Sequence, residues 1–405
     1  MKAVGLVVEY NPFHNGHAYH LKKSKEAADA DTVIAVMSGP FLQRGEPSLI
    51  SKWARTEMAL HAGVDLVIEL PYPFASQKAE IFARGAISIL EALQCDSFCF
   101  GSENGKIEPF LGTYQLLEEY REQYNGLIKE HIKEGYSYPR AASLAFGGLS
   151  VDAALDLSKP NNILGMEYIR AALSNDFAIK PATIPRIQAE YHDPALTENT
   201  IASATAIRKA LFENEKKAEA IDGYVPAASS TILKEYLYQY QHFHSWDLYW
   251  PHLKYRILSA SADELEQIYE IEEGIQHRLK DASGQAQNFH EFMTAIKTKR
   301  YTWTRLQRMC VHILTNTTKA EMFPLQERPS YLRLLGMSPV GRSYLRNIKK
   351  KVPIPLVSKL SSFESKKIQT DIRASRIYAL GLPDPYQSRL MNRDFEAPIL
   401  LDKFE

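Results

Sequence analysis

Four apolar runs of strand length, each separated from the next by a helical pattern, constrain the first hundred residues of this chain more than any other feature. KAVGLVVEY, DTVIAVMSG, VDLVIELP and DSFCFGSE are short and nearly continuous in apolar character. Amphipathic segments from about His17 to Ala28, Ser51 to Ala62 and Ser76 to Leu93 lie between them. Strands without polar alternation are buried on both faces, and strands that alternate with helices pair in parallel. The expectation is a Rossmann-like α/β domain with a parallel sheet. Ligands in such sheets sit outside the carboxyl ends of the strands. YNPFHNGH, SGPFLQRGEP, ELPYPFASQ and FGSENG all fall at those ends, so they should face one crevice.

After Pro109 the pattern becomes mostly helical as far as Asn175, with KPNNILGMEYIRAAL as a turn opening a helix. IKPATIPRIQ reads as a fifth strand and SATAIRKALFEN as the next helix, capped by Ser203. Beyond that, helix follows helix. A chain of 405 residues is too long for one ordinary core. We therefore divide it into a domain of residues 1–222 and a mostly α-helical C-terminal domain of residues 223–405, with GYVPAA and HSWDLYWPH as the hinge. Cys95, Cys99 and Cys310 offer neither zinc spacing nor a disulfide framework, which suits a reducing cytoplasm. No apolar run approaches the roughly 20 residues of a membrane helix, and the N-terminus lacks a signal-peptide pattern. The expectation is a soluble cytoplasmic protein with no membrane partner.

The HNGH sequence, His14 to His17, has a mechanical reading. Glycine lets backbone approach a phosphate, the helix start points N–H groups at an anion, and two imidazoles donate to phosphate oxygens. In transfer at an α-phosphate, donors that strengthen as charge builds on the equatorial oxygens do the catalysis. The same residues can serve simply as a helix cap and polar turn, and so can Ser203 in SATAIR.

NPFHNGH resembles the signature of the HIGH-type nucleotidylyltransferases, and Ser203, Thr205, Ile207 and Arg208 match the SxTxIR signature that those enzymes carry late in the domain. Longer stretches narrow the resemblance: SGPFLQRGEPSLISKWARTEMALHAGVDLVIELP, FASQKAEIFARGAI, FGSENG and KPNNILGMEYIRAA are similar to the tRNA(Met) cytidine acetate ligases over nearly the whole chain. The resemblance implies a ligase that activates acetate with ATP to acetyl-adenylate and acetylates N4 of the wobble cytidine of elongator tRNA(Met). Residues 1–222 would then be the ATP and acetate domain. By matching position, ATP contacts would involve Val7, Val8, Glu9, Tyr10, Asn11, Pro12, Phe13, His14, Asn15, Gly16, His17, Tyr19, His20 and Leu21, together with Gly101, Asn162 and Arg186. Ser203, Thr205 and Arg208 would grip the β- and γ-phosphates, while His14 and His17 work at the α-phosphate. Arg44 and Lys22 are further candidates for holding two anions together, although Arg44 could equally form a surface salt bridge. Mg²⁺ is expected to accompany the triphosphate, yet no carboxylate cluster is dedicated to it.

Net charge is zero, from 48 basic and 48 acidic residues, but the distribution is uneven. Residues 297–351 carry six Lys and seven Arg against two Glu, a balance of 13 − 2 = +11. Cations among Tyr301, Trp303, Tyr331 and Tyr344 suit a phosphate backbone and unstacked bases. Candidate nucleic-acid contacts are Lys297, Lys299, Arg300, Arg305, Arg342, Arg346, Lys349, Lys350 and Lys351. The alternative is a solvated basic face balanced by the acidic ADELEQIYEIEEG segment. Two other functions compete with the ligase reading: a metabolite adenylyltransferase, against which the basic region argues, and a noncatalytic RNA-binding protein, against which the intact motifs argue.

Overall fold

The computed structural model describes residues 1–149, 155–186, 200–213 and 218–401. β1 (Ala3–Val8), β2 (Thr32–Ser38), β3 (Leu66–Leu70), β4 (Ser97–Ser102) and β5 (Lys180–Pro185) pair in parallel in the order β5-β4-β1-β2-β3. The expected Rossmann-like sheet is present. Side chains Val4, Leu6, Val33, Ala35, Met37 and Val67 enter one core, and Ala3, Ile34, Val36, Leu66 and Ile68 enter the other. Burial on both faces explains the continuous apolar runs, each Val, Leu or Ile contributing about 1.5–3 kcal/mol. The end of the expected fifth strand, at residues 187–188, and Asn214 at the end of the following helix lie outside the described residues.

The sheet continues past β3. β6 (Leu332–Met337) pairs antiparallel with β3, and β7 (Leu356–Val357) and β8 (Ile399–Leu400) both pair parallel with β6. Residues 332–400 therefore add three strands to a second half that is otherwise mostly α-helical, as expected. β3 is buried along its whole length, so its outer edge needs a strand on it, and LRLLGM supplies one.

The helical part between residues 227 and 314 does not stand apart either. Its Phe243, Tyr249, Leu253, Phe292 and Cys310 share a core with Leu6, Val33 and Val67 of the sheet. Both expected hinge segments are tied down. Tyr224 O accepts from Asn15 N at 2.9 Å, and His244 N donates to Leu49 O at 2.8 Å. Trp246 Nε1 donates to Gly45 O at 3.1 Å. Gly45 has φ +78°, and a Cβ there would lie 2.4 Å from Arg308 N, so only glycine lets the two parts close at this point.

Candidate active site

At the carboxyl end of β1 the chain turns sharply, with Tyr10 at φ +49°, and enters helix α1 (Asn15–Ala27). His14 caps that helix. Its Nδ1 accepts from Gly16 N at 3.1 Å, and His17 Nδ1 accepts from His14 N at 3.3 Å. The rings stack with centroids 3.8 Å apart. An imidazole nitrogen that accepts a backbone N–H carries no proton, so each ring is held as the Nε2–H tautomer. Capping and phosphate donation are thus compatible: the cap occupies Nδ1 and leaves Nε2 as the nitrogen that can donate, and the His17 ring also has a hydrogen bond to the Pro12 backbone. Gly16 is required by this packing, because a Cβ would come within 2.8 Å of His14 Cε1. Burial, then Arg186 and Arg208, lowers the His14 pKa to about 3. His17 is lowered by burial first, then by His14, His20 and Arg186, and His20 falls to about 4 through burial and Arg186. Without a bound anion all three rings are neutral at pH 7.

The histidines line a cleft of about 350 Å³ across the ends of β1, β2, β4 and β5. On the β4–β5 side are Gly101, Asn161 and Arg186, with Arg186 Nη1 donating to Asn161 Oδ1 at 2.9 Å. The helix Ala204–Glu213 also begins at this cleft, its Ala206 N donating to Ser203 Oγ at 3.1 Å. Ser203, Thr205 and Arg208 all line the cleft, and Thr205 is exposed to it. Arg208 Nη1 donates to Asn11 O at 2.9 Å, and Nη2 meets Glu46 Oε2 at 3.0 Å. Val7 to Asn11, His14, Gly16, His17, Tyr19 and His20 also line it.

Several expected residues lie elsewhere. Asn162 turns away from the cleft and donates to Asp156 O at 3.0 Å, and Asn161 takes its place. One residue along a helix rotates a side chain by about 100°, which separates the two asparagines. Phe13 and Leu21 are buried in the core, and Pro12 is buried without lining the cleft. Asn15 anchors the turn by donating to Thr200 O and Gly223 O at 2.8 and 3.1 Å. Lys22 is exposed outside the cleft, whereas Arg44 lines it.

The β2 side holds residues that the sequence reading missed. Arg55, in helix α2 (Lys52–His61), is fully buried and donates to Glu9 O at 2.7 Å, Ser38 O at 3.0 Å and Gly39 O at 2.6 Å. Its guanidinium joins the ends of β1 and β2, so the backbone beneath the cleft is held by a side chain from a helix behind it. Gln43 N donates to Glu9 Oε1 at 2.7 Å, folding the β2 loop onto β1. An arginine within an amphipathic helix carries no sequence signal for this role.

The basic segment is divided. Arg300 pairs with Glu273 and Arg305 with Glu272, each at 3.0 Å, while the largely buried Arg308 meets Glu270 at 2.9 Å. The acidic EIEEG segment therefore neutralises these three. Lys297 Nζ donates to Thr298 O at 2.6 Å, and Lys299 is exposed. Arg342, Arg346, Lys349, Lys350 and Lys351 are exposed on and just after the helix Pro339–Ile348, with no ion pair among the described residues. That helix begins against Asp65, where Ser338 Oγ donates to Oδ1 at 2.8 Å, and Tyr344 OH donates to Leu93 O at 2.9 Å. Asp65 and Leu93 precede β3 and β4, so this group occupies the end of the sheet opposite the cleft. Strands of six residues separate the two ends by about 20 Å.

With this geometry in view, the likeness to known proteins is extensive. The HIGH Nucleotidyl Transferase family matches residues 1–394. The tRNA(Met) cytidine acetate ligase of Geobacillus sp. (strain WCH70) is 51% identical over 402 residues, 99% of this chain and 100% of the relative. The chain belongs to this ligase family. The Bacillus subtilis (strain 168) member is also 51% identical, over 411 residues, 100% of this chain and 99% of its own. Among solved structures, Thermotoga maritima TmcAL in its apo form superposes with a TM-score of 0.92 at 35% identity, covering 99% of this chain and 100% of that one. The same family member bound with alpha-thio ATP gives a TM-score of 0.90 at 33% identity, with the same coverage. Family membership agrees with both signature motifs converging on one cleft.

Proposed function

We propose that this protein is an ATP-dependent ligase that activates acetate as acetyl-adenylate and acetylates N4 of the wobble cytidine of elongator tRNA(Met). The observation that carries the reading is that His14 and His17, each with Nδ1 accepting a backbone N–H, line one cleft with Ser203, Thr205 and Arg208. Acetate is already an anion at neutral pH, so its attack on the α-phosphate requires no base. An acetate oxygen bonds to the phosphorus, and the bond to pyrophosphate breaks with its electron pair on the leaving group. Fixed Nε2–H groups of His14 and His17 stabilise charge that grows on the α-phosphate oxygens, while Arg208 and Thr205 hold the β- and γ-phosphates. Gly101, Asn161 and Arg186 stand on the side available to the nucleoside.

Among the described residues no three metal-binding side chains come together, and Glu46 is engaged by Arg208. The residues present do not form a protein cage for Mg²⁺. The ion would enter with the triphosphate, taking phosphate oxygens and water as its ligands. None of the described helices is long and apolar enough to cross a membrane, and three buried free cysteines fit a cytoplasmic location. For tRNA, we assign the unpaired cations at Arg342, Arg346 and Lys349–Lys351 a backbone-contact role, with Lys297 and Lys299 as further contacts. Arg300 and Arg305 are left a minor role, since their charge is already matched.

The test is to incubate the protein with ATP, labelled acetate and total tRNA, digest the RNA and locate label by nucleoside mass spectrometry. The expected product is N4-acetylcytidine from elongator tRNA(Met). Label confined to a small-molecule adenylate would favour a metabolite adenylyltransferase. No label in any product would leave only RNA binding.

A further inference from the structure

Glu9 is the only carboxylate in the stretch Val7 to Leu21, and it lines a cleft that must accept a triphosphate and acetate. Neither anion gains from a carboxylate beside it, so the first reaction step gives Glu9 no task. Its position is nonetheless fixed. Arg55 Nη1 donates to its carbonyl at 2.7 Å, and Gln43 N donates to Oε1 at 2.7 Å. Oε2 has no hydrogen-bond partner among the described residues. The carboxylate is tied to the β2 loop through the Gln43 amide. Phe82, Leu164 and Tyr168 also line this cleft.

Transfer to the cytidine, in contrast, needs a base. The N4 lone pair is delocalised into the ring, and as it attacks the acetyl carbonyl the nitrogen becomes cationic and must lose a proton. The other groups in the cleft are poorly suited to take it. His14 and His17 are held as Nε2–H donors, His20 adjoins the nucleoside side next to Gly101, and Glu46 is paired with Arg208.

We infer that Glu9 is the general base of the second step, accepting the N4 proton of the incoming cytidine through Oε2; the inference rests on the function proposed above. The N4–carbonyl carbon bond forms, the acyl carbon–oxygen bond breaks with its pair on the AMP phosphate, and the proton passes from N4 to Glu9 and then to water. A carboxylate acceptor also discriminates between pyrimidines: cytosine presents an N–H donor at this position and uracil an oxygen. Burial is the largest influence on Glu9 and raises its pKa, with Glu46 adding to the rise, while the Gln43 amide, Arg44 and Arg55 oppose it. A carboxyl raised above its ordinary range is a stronger base at neutral pH.

The two half-reactions separate this role from ATP binding. The full chain is loaded with ATP and labelled acetate, acetyl-adenylate is quantified, and tRNA(Met) is then added in a single-turnover chase. For Glu9→Gln, transfer to tRNA is expected to fall about 100-fold or more, the usual contribution of a general base, with adenylate formation reduced less than tenfold. Glu9→Asp should recover part of the transfer rate. The wild-type transfer rate should rise with pH through an ionisation above the ordinary glutamate range, and Glu9→Gln should be flat there. Transfer by Glu9→Gln within tenfold of wild type overturns the inference, and so does an equal loss of both half-reactions. If wild type itself forms acetyl-adenylate but never acetylates tRNA, the proposed function falls along with it.

Discussion

Replacing Arg55 by methionine removes the buried fork beneath the cleft while keeping much of its volume. The guanidinium donates to the carbonyls of Glu9, Ser38 and Gly39 at 2.7, 3.0 and 2.6 Å, and none of it is exposed. Leaving a buried acceptor without its donor costs about 1–3 kcal/mol, so three carbonyls set a range of about 3–9 kcal/mol. Glu9 borders the cleft, where water can reach its carbonyl, and this favours the lower half of the range. The lower half, about 3–5 kcal/mol, is therefore the expected loss. For a chain of this length each kcal/mol moves the melting midpoint by about 1.2 °C, so Arg55→Met should melt about 4–6 °C lower. Arg55→Lys keeps the charge but has no planar fork, and should lose about half as much. Differential scanning calorimetry, with acetate-dependent pyrophosphate release measured alongside, checks both variants. A midpoint within 1 °C of wild type for Arg55→Met would refute the view that this side chain holds the floor of the cleft.

Three further outcomes follow from the same geometry. His17→Ala should lower adenylate formation by about 3–4 kcal/mol of transition-state stabilisation while ATP binding weakens only modestly, because Nε2–H acts on charge that develops during transfer; a wild-type adenylation rate would sink the assignment. Glu46→Gln releases Arg208 from its 3.0 Å ion pair and removes a negative charge from the phosphate site. Both groups are partly exposed, so the gain is about 1 kcal/mol, roughly fivefold tighter ATP binding by calorimetric titration, and weaker binding would contradict it. Acid should destabilise the fold through His244 and His312, each buried and lowered to about 3, burial being the main cause. The unfolded chain binds their protons from about pH 6.5 downward while the native state does not, so stability is retained above that pH and falls toward pH 3. The loss at pH 5 is about 2 kcal/mol per histidine. A melting midpoint independent of pH between 7 and 5 would refute that account.

Local pattern carried much of this molecule. Period and run length suffice to specify β1 to β4 and their parallel pairing, since strands buried on both faces must be apolar throughout, whereas β5 is a partly exposed edge strand. HxGH and SxTxIR were legible because a helix start encodes its own cap within four residues, and the phosphate donors are those same cap groups. Other features depend on contacts distant along the chain. Nothing near LRLLGM signals that β6 will cover the edge of β3, because the need arises in residues 66–70 and is met by residues 332–337. Asn161 and Asn162 are indistinguishable by type, and only helix phase selects the one that meets Arg186. Arg300 and Arg305 look like free cations until folding brings Glu273 and Glu272 within 3.0 Å. Arg55 and Glu9 acquire their roles only when α2 packs behind the sheet. Sequence by itself determined the elements and the chemistry of the motifs, because those are short-range steric and hydrogen-bonding preferences. Tertiary structure alone decided which charges are paired, which carbonyls are held and which carboxylate is left open to the cleft, because those outcomes depend on distances that exist only after the chain has closed on itself.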